Sequence, residues 1–191
     1  MKKTLEIGDV VALKPAVLFG LETYIKARLD ANIDADFHVG TIEWGRESFG
    51  DDEARRTIIS FIEPPKPVEI ASPPQNSAVR TYQWTIFIQG MLVDNLKIPT
   101  YPAYELVAEI KMILNELVET NSGSAINNIL NLGPTAQRER GNRNNLHNIH
   151  IGAETVRGPG DHSRYAYFWL PVHLSIAEDI KNPRTTIQNP L

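Results

Sequence analysis

At 191 residues the chain has the size of one domain and can bury a single core. Its apolar fraction of 42% and charged fraction of 22% are those of an ordinary globular protein, and a net charge of −4 argues against a general nucleic-acid binder. The absence of cysteine excludes a disulfide framework and a thiolate metal site. Acidic residues in the stretch Met1–Asp9 stand where a signal peptide would have its apolar core. The apolar runs fall well short of the ~20 residues that span a bilayer. The expectation is a single domain over residues 1–191, made in the cytoplasm and neither exported nor held in a membrane.

Val10, Val11 and Leu13 suggest a short first strand. Pro15 then opens a helical stretch to Ala31, with Val17, Leu18, Leu21, Tyr24, Ile25 and Leu29 as its buried stripe and Lys26, Arg28 and Asp30 opposite. Short strands are expected at Val39–Trp44 and Thr57–Ile62, separated by a charged turn around Asp51 and Asp52. Five prolines between residues 63 and 79 forbid a sheet interior and mark an extended surface connection. From Arg80 to Val93, Tyr82, Trp84, Ile86 and Ile88 alternate with Thr81, Gln83, Thr85 and Gln89, the period of a half-buried strand. After the polar link Asp94–Thr100 the period turns helical from Pro102. Leu106, Val107, Ile110, Ile113, Leu114, Leu117 and Val118 form the buried stripe, with Glu105, Glu109, Lys111 and Glu116 on a polar side. Trp84 is expected between the sheet and this helix.

Thr120–Asn148 reads as a long polar loop with eight asparagines and few apolar anchors. A hairpin follows: a strand at Ile149–Val156, a turn at Arg157–Asp161 and a strand from Tyr165 to Ala177. On the last strand Phe168, Leu170, Val172, Leu174 and Ile176 share one face, while Tyr165, Tyr167, Trp169 and His173 share the other. Bulk on both faces predicts a strand that is central or covered on both sides, and Pro171 predicts a bulge or one unpaired side. The tail, Lys181–Leu191, is polar and reads as a C-terminal arm.

No residue pattern in the chain carries catalysis, a cofactor or a metal. His147, His150 and His162 fall short of the ligand count of a closed metal site. Asp161, His162 and Ser163 hold the residue types of a hydrolase triad, but immediate neighbours point apart and cannot align nucleophile, base and orienter. Arg138, Arg140 and Arg143, gathered around Glu139, read either as a solvated loop or as a patch for a partner's carboxylates. With Trp169 they are the candidate partner-interface residues.

Together these elements give an α+β fold: a mixed, mainly antiparallel sheet, two helices packed mainly on one face, long loops, and a C-terminal hairpin and arm. The helix Pro15–Ala31, the strand Arg80–Val93 running into the helix Pro102–Val118, and the late strand Tyr165–Ala177 with its polar tail resemble the tail terminator (tail completion) proteins of long-tailed bacteriophages. The two long loops, 63–79 and 120–148, depart from a minimal version of that fold. The resemblance implies a structural protein of the virion neck: a homo-oligomeric ring of six subunits that caps the tail tube and ends its growth. Its partners would be its own copies, the tail tube protein and the head-completion or connector protein, with DNA only passing through the lumen. Within the same class, a head-closure or adaptor protein is the alternative. From another class, the alternative is a small-molecule-binding protein or enzyme using His150, His162 and Arg157 around the hairpin at 149–177.

Overall fold

The fold is that of a computed structural model, which describes residues 5–6, 8–32, 39–45, 57–63, 79–93, 97–119, 145–159 and 164–187. Among these residues the elements run β1 (Val10–Ala12), α1 (Leu13–Ala31), β2 (Val39–Trp44), β3 (Thr57–Ile62), β4 (Val79–Val93), α2 (Tyr101–Glu119), β5 (Asn145–Ile151), β6 (Thr155–Arg157), β7 (Tyr165–Asp179) and β8 (Arg184–Thr186). The main sheet has the order β2-β3-β4-β7-β5, with β6 also paired to β7. Only β2 and β3 run parallel among these pairs. The α+β, mostly antiparallel architecture is the one the periodicities indicate.

β4 and β7 form the spine. They pair antiparallel without a register shift from Val79↔Asp179 to Val93↔Tyr165. Partners in an antiparallel ladder share a face, so the even-numbered residues of both strands fall together. Trp84, Ile86 and Ile88 lie beside Leu170, Val172 and Leu174, and all are buried. Ile59 and Phe61 of β3 and Leu146 and Ile149 of β5 extend this layer, and the apolar stripes of α1 and α2 close over it in one cluster. Gly90 belongs here for a steric reason. A methyl group on it would stand 2.3 Å from the Phe168 ring, its cross-strand partner, so the ring occupies the space of the missing side chain.

The two helices run antiparallel and are tied at one end. Tyr24 donates to Glu116 (2.8 Å), Arg28 pairs with the same carboxylate (2.8 Å), and Asn32 donates to Glu109 (2.6 Å). At its other end α1 has no side-chain cap on Ala12; its first N–H, from Leu13, donates instead to the Pro183 carbonyl (3.2 Å).

Three expectations change. The segment 181–191, expected as an arm, is built into the fold as far as residue 187. β8 pairs antiparallel with β1, and Thr185 and Ile187 are buried. The reason is that a short polar strand gains its ladder from β1 and one apolar anchor from Ile187, neither visible locally; residues 188–191 lie outside the described residues. The expected loop 120–148 ends early, because Asn145–Asn148 already belong to β5 and Leu146 reaches the core. Residues 120–144 and 64–78 lie outside the described residues. Finally, the first hairpin strand is broken at residues 152–154, and Arg157 closes β6 instead of opening the turn. Pro171 explains the break. Its carbonyl accepts from Gly152 N–H (2.8 Å), so its missing donor faces β5–β6, where the neighbour carries one extra residue between Ile151↔Val172 and Thr155↔Trp169.

Candidate interaction site

The odd-numbered residues of β4 and β7 point away from the helices. Near the middle and the β6 end they bring together Phe87, Tyr167, Trp169, Pro171 and His173, all half-buried. The Tyr167 and Trp169 rings stack with centroids 6.4 Å apart. The Trp169 indole N–H donates to the Gln89 side-chain oxygen (3.1 Å), a satisfied polar handle under an apolar ring. His150 of β5 stacks on His173 (5.8 Å), whose Nδ1 lies 2.9 Å from the Thr85 hydroxyl. Arg157 stands exposed at the register position of Tyr167. Among the described residues no helix packs on this face; both join the cluster on the other. Ile58, Ser60, Gln89 and Met91 of the same face are buried, so the open part is the β7 side of it.

A second cluster lies at the far end of the sheet, in a cleft of about 480 Å³ lined by Ala12, Lys14, Pro15, Glu63, Arg80, Tyr82 and Glu178. Several of its polar groups are joined to one another. Lys14 pairs with Glu63 (3.5 Å) and sits over the Trp84 ring (4.8 Å), while the Trp84 N–H donates to Glu63 (3.1 Å). Tyr82 donates to Glu178 (3.4 Å), the cross-strand partner of Arg80. Burial, followed by the Glu178 charge and hydrogen bond, pushes the Tyr82 hydroxyl up to about 12. This closed set anchors α1 to the sheet end. Trp84 is buried as expected, in one cluster with residues of both helices, and Lys14 of α1 sits over its ring.

Of the residues singled out in the sequence, Trp169 lies on the open face, and Arg138, Arg140 and Arg143 lie outside the described residues. His162 of the trio His150, His162 and Arg157 lies outside them too; His150 stacks on His173. Among the described residues no group of three or more His, Asp or Glu is placed to hold a metal. No helix among them is long and apolar enough to cross a membrane.

The sequence reading missed one surface. It assigned α2 a polar outer side, but that side also carries Tyr101, Tyr104 and Met112, which are 48%, 50% and 62% exposed. Their spacing of three and then eight residues along the helix was the signal available. Compared with known proteins, the chain matches no family model, and no characterised protein matches it in sequence.

Proposed function

We propose that this chain is a structural protein of a phage neck, acting by contact rather than by chemistry. In this reading it forms a ring of six subunits that caps the tail tube, ends its growth and offers a docking surface to the head connector. The observation that carries the proposal is the open aromatic face of β7: a central strand, backed by a complete core, that presents Tyr167 and Trp169 where no described helix covers them. Aromatic side chains with satisfied polar handles are the usual anchors of protein–protein contacts. The element order and the placing of both helices on one face agree with what the resemblance to tail terminators implies.

A ring of identical subunits needs two different patches on each copy. The loop bearing Arg138, Arg140 and Arg143 would supply contacts to the tube or to a neighbour, since arginine pairs give register and specificity. The test is negative-stain microscopy of the purified chain mixed with tail tubes and, separately, with connectors. The expected outcome is a ring seated on tube ends. Binding to connectors alone would favour the adaptor reading, and a monomer that ignores both would overturn the proposal.

A further inference from the structure

α2 is apolar on two opposite sides. Ala103, Leu106, Val107, Ile110, Ile113, Leu114 and Leu117 face the sheet and are buried. Tyr101, Tyr104, Ala108 and Met112, spaced three, four and four residues apart, form a second stripe facing outward. Ile98, in the turn before the helix, is 56% exposed as well. That turn ends at Thr100 with φ 66°, a left-handed conformation that costs a β-branched residue energy. An exposed apolar stripe on a helix is a surface suited to a second contact.

Resting on the ring reading above, we infer that the outer stripe of α2 docks on the open β7 face of a second copy of this chain, head to tail. Three observations select that occupant. The stripe looks away from the sheet on the helix side, whereas Tyr167 and Trp169 look out from the other side. One molecule therefore cannot bring its own two patches together. A two-fold contact would place like patches against each other, whereas a heterologous contact places each against its complement. The shapes are complementary, since a helix laid on a half-buried sheet face that no described helix covers completes the ordinary layering of an α+β protein. The charges are complementary as well. Exposed Glu105 borders the stripe beside Tyr104, and exposed Arg157 borders the Tyr167–Trp169 pair. The partner carboxylates on α2, Glu109 and Glu116, are already engaged with Asn32 and with Arg28 and Tyr24 of α1.

Sedimentation velocity of the full chain over a concentration series tests this, with Met112→Glu, Glu105→Arg, Arg157→Glu and the double charge reversal run beside the wild type. The wild type is expected to self-associate in a concentration-dependent way. Met112→Glu is expected to weaken that association roughly thirtyfold, the scale of a central contact. Each single charge reversal is expected to weaken it less, and the double reversal to restore it. Thermal melting of each variant at low concentration checks the monomer, which these exposed positions should leave unchanged. A wild type that stays monomeric at every concentration overturns the inference, and so does association that the four variants leave untouched. The neck reading fails separately: assemblies that depend on Met112 yet ignore tail tubes would overturn it and leave this contact standing. Tube capping indifferent to Met112 would do the reverse.

Discussion

The two faces of the β4–β7 pair are made by the same strands in the same register, yet they end in different states. On the even face Trp84, Ile86, Ile88, Leu170, Val172 and Leu174 are sealed beneath two helices. On the odd face Phe87, Tyr167, Trp169 and His173 remain half-buried with no described helix above them. Between these two sets the difference goes with residue type, Trp84 excepted, whose indole N–H is satisfied by Glu63. Aliphatic side chains have no use for water, whereas Tyr, Trp, His, Thr and Gln carry polar groups that water or a neighbour satisfies. A face of the second kind is stable while open and remains able to bury area later. The even residues of this ladder build the core, and the open odd residues are the ones we propose for assembly.

The comparison breaks most sharply at Ile110, which is fully buried on the core side of α2. Ile110→Asp places an unpaired charge there and is expected to abolish folding, read by circular dichroism and solubility. A native-like variant would show that the helix's core side tolerates water. Next in size is the tryptophan contrast. Trp84, 2% exposed, is expected to cost about 3–5 kcal/mol on replacement by alanine. Trp169→Ala on the open face should cost about 1–2 kcal/mol, in line with partial burial. Urea unfolding of both variants measures the gap, and equal losses would erase the distinction between the faces.

Gly90→Ala sharpens the core side further. The added methyl meets the Phe168 ring, so the variant is expected to lose about 1–3 kcal/mol in the same unfolding experiment. Tyr82 gives a smaller, pH-dependent effect. Its native pKa of about 12 lies above the ordinary value of 10.0, so the native state holds this proton more tightly than the unfolded state does. Its contribution to stability is complete below pH 10 and is lost as pH rises through about 12. Ultraviolet titration should show a late phenol at about pH 12 that is absent in Tyr82→Phe, beside a smaller upward shift at Tyr24, and a wild type lacking the step at about 12 would contradict the contact with Glu178. The smallest change is expected at the bridge from Lys111 of α2 to Glu154 beside the β5–β6 break. Lys111→Ala should shift stability by no more than about 1 kcal/mol, as half-exposed pairs do.

How much of this was legible in the sequence depended on whether the signal was local. The strands of residues 80–93 and 165–177 and both helices declared themselves by period, and Pro171 announced the bulge opposite it. β8 did not, because Arg184–Thr186 is short, polar and paired only with β1 at the other end of the chain. The start of β5 hid among asparagines, with Leu146 its single buried anchor. Trp169 could be placed on the outward side of β7 from alternation alone, whereas the cleft around Lys14, Glu63, Arg80, Tyr82 and Glu178 joins four separate segments that no window contains. The outer stripe of α2 was masked by the glutamates interleaved with it.

The central proposal is that the even face folds the molecule and the open β7 part of the odd face assembles it. Oxidative footprinting of the tryptophans and of Met112 across a concentration series tests it most directly. The account predicts that Trp84 is protected at every concentration, while Trp169 and Met112 are reactive in dilute protein and become protected together as the protein associates. Trp169 and Met112 that stay equally reactive while sedimentation shows assembly would contradict it.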